Sequence, residues 1–282
     1  MSDPRAPRYG VVDREYGLRL ATTPPDGDGP VWMVNLMKYR DVADYADGRD
    51  SAVSGREADD RYTPRGPLAA VGAEIVFAGD VEDQLLGAAP VWDRVGVVRY
   101  PTRRSFIAMQ QRADFRDLHA HKDAGMEQTI VIGCQPIDAL QAADAGVDEV
   151  PWSAVPHPPR ADDGPVMVIH VVKFADDEGE GGDPAAAVTP EQMVAYQRAA
   201  AVPASRHGVR VAGWFAAEGT IVGDGRTWDQ VRFNAFPSKA AFLAVVSDPE
   251  RLAAQRAHRE RAIADTYTLV VRPTIDLMTP SA

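Results

Sequence analysis

The 282-residue chain has one cysteine, Cys134. A single thiol can build neither an intramolecular disulfide nor a cysteine-rich zinc site. Long apolar runs are also missing. The stretch Val166–Val172 falls far short of the ~20 residues needed to cross a bilayer. The opening MSDPRAPRYG lacks the basic-then-apolar pattern of a secretory leader, so the expected location is the cytoplasm, with no membrane partner. Positive charge is scarce: 30 Lys and Arg face 41 Asp and Glu, a net charge of −11. Such a surface repels phosphate backbones, so no nucleic-acid partner is expected. HExxH, P-loop, G-x-S-x-G and dinucleotide fingerprints are absent. His119 and His121 stand two apart in an expected helix, which points their rings away from each other. No metal and no cofactor are expected.

What is present is a repeat. PVWMVNLMKYRD at residues 30–41 returns as PVMVIHVVKFAD at 165–176, with Lys38/Lys173 and Asp41/Asp176 identical. WDRVGVVRYPTRRSFIAM from Trp92 returns as WDQVRFNAFPSKAAFLAV from Trp228, and His121 and Pro136 match His258 and Pro273. The offset drifts only from 135 to 137, which indicates one unit occurring twice.

Each copy reads as strand, helix, strand, strand, helix, strand. Val31–Tyr39 and Val166–Phe174 are apolar runs bounded by turn signals. Thr189-Pro190-Glu191-Gln192 is a capping box that starts a helix. Gly223-Asp224-Gly225 turns a hairpin, and Asp248-Pro249-Glu250 caps a late helical segment. The expected fold is therefore α+β: two tandem ferredoxin-like β-α-β-β-α-β modules packed sheet to sheet as a pseudo-dimeric α/β barrel. Residues 1–29 form an irregular N-terminal arm and 30–136 the first module. Residues 137–164 are a Pro-rich linker, 165–276 the second module and 277–282 a tail.

The segments MVNLMKYRD, WDRVGVVRYPTRRSFIAM and EQTIVIGCQP resemble the family called domain of unknown function 1330, within the dimeric α/β-barrel superfamily. The resemblance covers both modules. It implies a sheet-pairing ferredoxin-like module and small-molecule chemistry of the monooxygenase, isomerase or aldoxime-handling kind. It supplies no catalytic residues.

Strand alternation supplies candidates instead. On the third strand of the second module, Trp228, Gln230, Arg232, Asn234 and Phe236 share one face, and Asp229, Val231, Phe233 and Ala235 the other. The mainly apolar set is expected against the helices, which turns Arg232 and Asn234 into the barrel. The first module carries Gly96 and Val98 at those positions, so the second module is the expected pocket. His170, matched by Asn35, is the candidate base, and Arg232 the candidate anion holder. Asn234, Asn35, Trp214 and Tyr62 are candidate ligand contacts. Residues 45–64, rich in charge and holding Tyr45 and Tyr62, read as an inserted loop or a lid.

The expected function is a cofactor-independent small-molecule enzyme, isomerase, cyclase or monooxygenase-like. The alternatives are a non-catalytic small-molecule-binding or structural barrel and, third, haem binding through His207 or His258. A homodimer is the expected assembly.

Overall fold

The computed structural model describes residues 7–137, 150–175 and 190–280. Asp176, Thr189, residues 138–149 of the expected linker and 281–282 of the tail lie outside these. The architecture is mixed α+β with antiparallel strand pairs. The chain divides into two compact units: residues 1–78, 89–135 and 219–227, and residues 79–88, 136–218 and 228–282.

In the first unit, β1 (Val11–Val12) and α1 (Arg14–Thr22) precede β2 (Val31–Tyr39). Helices α2 (Gly55–Tyr62) and α3 (Arg65–Ala70) lead into β3 (Glu74–Leu86), whose first five residues belong here. Strand β4 (Arg94–Tyr100), helices α4 (Arg103–Gln111) and α5 (Ala113–Gly125), and β5 (Met126–Pro136) complete the order. Strand β2 is central, between β4 and β5. In the second unit, β6 (Val166–Phe174) is followed by α6 (Glu191–Arg206), β7 (Arg210–Gly223), whose last five residues belong to the first unit, and β8 (Gln230–Phe236). Then come α7 (Lys239–Val246), α8 (Pro249–Ala254), a π-helical turn Gln255–Arg259 and β9 (Ile263–Asp276). Here β6 is central, between β8 and β9.

The repeated motifs turn out to be partners of one another. Lys38 Nζ lies 3.1 Å from Asp93 Oδ1, and Asp93 Oδ2 accepts the Tyr39 N–H at 2.7 Å. Lys173, Asp229 and Phe174 repeat this arrangement at 3.1 and 2.7 Å. In both units the anchor sits where the first strand shifts register, at Lys38/Tyr39 and at Lys173/Phe174. The carboxylate thus holds a backbone donor that the bulge takes out of the ladder. A second device recurs before each first strand. Asp28 accepts the Arg103 and Arg104 N–H groups, and Asp163 those of Lys239 and Ala240, satisfying helix N-termini after YPT and FPS.

Two expectations are corrected. The arm at 1–29 is not irregular throughout, because residues 14–22 form α1. Asp13 caps it by accepting the Tyr16 N–H at 2.9 Å, and Tyr16 and Leu20, one turn apart, are both buried. Residues 45–64 are not simply an inserted loop. Ser54 and Glu57 close a capping box that starts α2, and Ala58 and Asp59 face inward. Asp59 accepts the buried Tyr39 hydroxyl at 2.7 Å.

Helices α2 and α5 cross on two glycines. A Cβ on Gly55 would run into the carbonyl oxygens of Gly125 and Arg40, and a Cβ on Gly125 into that of Gly55. Glycine to alanine in a helix ordinarily gains ~0.5–1 kcal/mol. Here Gly125→Ala is expected to lose about 1–3 kcal/mol through overpacking against backbone that cannot swing aside. The urea midpoint reads the sign directly, and a gain would mean that the crossing is loose.

Candidate functional site

Strand β6 of the second unit is buried along most of its length, with His170 as its polar interruption. The ladder seats His170 directly between Arg232 on β8 and Thr268 on β9. Neighbouring strands lie ~4.8 Å apart, so the three side chains rise side by side on one face. That face is the floor of a cavity of about 600 Å³, walled by α6, α7, α8 and the π-helical turn.

This reverses the expected orientation of β8. Arg232 and Asn234 point toward the helices, where Val166, Val168 and Phe236 pack on Phe242 and Val245. Phe233, on the opposite face, stands edge-to-face with Phe215 at 5.9 Å. Apolarity did not discriminate because both faces are buried: Val231, Phe233 and Ala235 are enclosed, and so are Gln230, Arg232 and Phe236.

Arg232 is held by amides, not by a carboxylate. Gln230 Oε1 accepts from Nε at 3.0 Å and also from Nη2. The Gln197 amide oxygen accepts from Nη1 at 2.7 Å and Nη2 at 2.9 Å. The Trp214 ring lies under the guanidinium at 4.3 Å and donates its own N–H to Gln230 at 3.0 Å. These contacts use four of the five N–H groups, leaving one on Nη1. Arg259, from the π-helical turn, is also buried and lines the cavity. Neither arginine has a carboxylate within ion-pair distance among the described residues. Arg251 completes the cluster and donates to the Val246 carbonyl and to Gln255.

Burial pushes the Arg232 guanidinium down to about 9, and neighbouring Arg259 pushes the same way. Burial likewise lowers Arg259. His170 falls well below the usual histidine range, first through burial and then through Arg259, Arg232 and Arg251. Its ring is therefore neutral at ordinary pH. Nδ1 lies 3.1 Å from Thr268 Oγ1, and Nε2 has no partner among the described residues. With Nδ1–H donating to the hydroxyl, Nε2 carries the free lone pair.

Of the residues singled out from the sequence, His170, Arg232, Asn234 and Trp214 meet in this cavity. Asn35 and Tyr62 belong to the first unit and do not line it. They surround Lys122, the counterpart of Arg259 at the 137-residue offset. Lys122 Nζ is 3.5 Å from Asn35 Oδ1, 5.3 Å from the Tyr62 ring centre and 5.8 Å from that of Tyr9. Tyr9 lies over this lysine and is fixed by His119 Nε2, 2.8 Å from its hydroxyl. The first unit thus packs a tyrosine from its N-terminal segment beside the equivalent cation. Sequence reasoning missed Arg259, Gln197 and Thr268. The offset that matched His258 to His121 also matches Arg259 to Lys122, and it was the available signal.

The two histidines considered for haem do not fit. His207 stacks on His157 at 5.5 Å, His258 Nδ1 pairs with exposed Gln192 at 2.7 Å, and neither lines the cavity. Among the described residues no group of His, Cys, Asp and Glu could hold a metal ion, and no helix is long and apolar enough to cross a membrane.

The chain matches no protein-family model and no curated protein. Among solved structures, a protein of unknown function from Rhodopseudomonas palustris is 25% identical, over 46% of this chain and 98% of its own, with a TM-score of 0.40. Chlorite dismutase from Candidatus Nitrospira defluvii is 12% identical, over 92% of this chain and 95% of its own, with a TM-score of 0.49. A candidate monooxygenase from Fusobacterium nucleatum is also 12% identical, over 87% and 92%, with a TM-score of 0.46.

Proposed function

We propose that the second unit binds an anionic small molecule in the His170–Arg232–Arg259 cavity and acts on it by proton transfer without a cofactor. One observation carries this reading: the buried Arg232 and Arg259 guanidinium groups border an open volume, and among the described residues neither has a carboxylate within ion-pair distance. Burying an unpaired cation costs several kcal/mol, and such a cost is retained where a ligand supplies the counter-charge.

The chemistry follows from the placement. Arg259 and the free N–H of Arg232 hold the anion beside His170. Nε2 of the neutral imidazole takes a proton from a carbon next to a carbonyl. The electron pair moves onto that carbonyl oxygen as an enolate, which the guanidinium groups stabilise. A low histidine pKa makes a weak base in the empty site. A bound anion offsets the arginine charges that depress it, so the base strengthens when substrate arrives.

We also read the chain as a tandem of two ferredoxin-like modules of the kind resembled by the domain of unknown function 1330 family. The paired Lys–Asp anchors and Asp helix caps support that reading.

Phenylpyruvate, an enolisable anion, tests the function. Proton NMR in heavy water is expected to show enzyme-accelerated exchange of its C3 protons. His170→Ala is expected to abolish the acceleration with calorimetric binding retained, and Arg259→Gln to weaken binding at least tenfold. Binding without accelerated exchange would leave a non-catalytic binding protein, and no binding of any carboxylate would remove the anion site itself.

A further inference from the structure

The cavity inverts the usual polarity of a protein surface. Two of its four lining arginines lie at the bottom: Arg232 is 7% exposed and Arg259 8%. Its large aliphatic side chains stand at the rim: Leu85 is 49% exposed, Leu86 43% and Val211 45%. Long charged side chains normally carry their heads to water and bury their stems. Leucines in pairs normally do the reverse. A site with charge at its floor and aliphatic groups at its mouth matches a molecule built the same way.

We propose that the occupant is an amphiphilic monoanion, a carboxylate on an extended apolar body, that enters head first. This rests on the anion-binding reading above and adds the class of molecule. The head is singly charged because donors at the floor are few; Arg210 and Arg251, which also line the cavity, donate to the Pro280 and Val246 carbonyls. Four of the five Arg232 N–H groups are already used by Gln230 and Gln197, which leaves one donor there and the Arg259 fork. One carboxylate satisfies these, whereas a phosphate ester or a dicarboxylate would bury charge without partners. The body is apolar because the walls are. Val168, Val172, Phe242 and Val245 are buried and line the cavity. On the opposite side α6 offers Ala200, Ala201 and Ala204, small residues that leave a broad slot. A volume near 600 Å³ suits a ligand of medium size whose far end reaches Leu85 and Leu86.

Isothermal titration of the full chain with acetate, hexanoate, octanoate and 1-octanol separates the two layers of the argument. Each added methylene is expected to tighten binding roughly three- to fourfold, as burial of a CH₂ does. Octanoate should then bind at least 100-fold more tightly than acetate and at least tenfold more tightly than 1-octanol. Paired Leu85→Asp and Leu86→Asp changes should flatten the chain-length series and leave acetate affinity within twofold. Val211→Asp, on another strand, repeats that test should the paired variant fail to fold. Arg259→Gln should erase the difference between octanoate and 1-octanol. Octanoate binding no tighter than acetate would overturn the amphiphile and leave the anion site standing. Octanol binding as tightly as octanoate would overturn the anion site and the amphiphile with it.

Discussion

Between pH 6.5 and about 4, His119 alone is expected to cost the folded protein about 2–3 kcal/mol. Its ring sits against Phe115, Tyr62 and the Tyr9 hydroxyl. Burial first, and then Lys122, push it down to about 4, with Asp123 opposing. The unfolded chain takes up this proton below ~6.5, whereas the native state refuses it until about 4. The unfolded state therefore binds more protons throughout that window, and stability falls as pH falls, by at most ~1.4 kcal/mol per pH unit for one group. His170 adds in the same direction, because its folded-state pKa is also depressed, by burial and the three arginines. Acidification meanwhile shrinks the net charge of −11 and with it the self-repulsion of the native state, so the raw pH profile mixes two effects. A variant isolates the histidine. His119→Gln can still bond the Tyr9 hydroxyl and cannot titrate. Urea unfolding at pH 7, 6, 5 and 4.5 should give a shallower loss in the variant than in the parent. Parallel curves would assign the acid sensitivity elsewhere.

The bound anion should oppose this loss at His170. An anion beside Arg232 and Arg259 lifts the depression that those arginines impose, so protonation of the ring costs less in the complex. Acid destabilisation is thus tied to the same electrostatics that define the site.

Much of this arrangement was legible in the chain. Apolar runs bounded by turn signals located β2 and β6, β4 and β8, and β5 and β9. The offset repeat put Lys173 and Asp229 forward without saying that they touch; a bulge at Lys173/Phe174 brings them together. His170 and Arg232 stand out in the sequence as candidate base and anion holder, and the register makes them direct partners. The direction of their face was not legible. Alternation states which residues share a side, but with both sides buried it cannot say which side the helices cover. Helix-borne residues were harder still. Gln197 and Arg259 stand 62 positions apart in sequence and converge only through the packing of α6 against the π-helical turn. A five-residue π-turn shifts the helical phase, so no 3.6-residue periodicity points to Arg259. Asn35 and Tyr62, expected as ligand contacts, stand in the first unit around Lys122 together with Tyr9, a grouping that no motif in the chain announced.

Phe233→Ala is expected to cost about 3–5 kcal/mol, whereas Arg232→Met, one residue away, is expected to cost less than ~1 kcal/mol. Phe233 is fully buried against Phe215, so truncation removes a whole aromatic ring and leaves a cavity that the surrounding strands cannot collapse to fill. At this chain length the loss corresponds to a fall of roughly 10 °C in Tm. Arg232 is nearly as buried, yet its energetics run the other way. Methionine fills a similar volume and abolishes the cost of keeping a cation from water without a carboxylate. The groups left behind are provided for: Gln230 keeps the Trp214 N–H at 3.0 Å, and Gln197 is half-exposed and can turn to solvent. Binding should respond in the opposite sense, with octanoate affinity falling at least tenfold in Arg232→Met and staying measurable in Phe233→Ala below its lowered Tm. A residue that weakens binding when removed, yet costs the fold almost nothing, is maintained for its ligand. Equal and severe losses of stability in both variants would instead make Arg232 a structural charge, leaving Arg259 as the remaining deeply buried cation beside His170 to anchor an anion in this cavity.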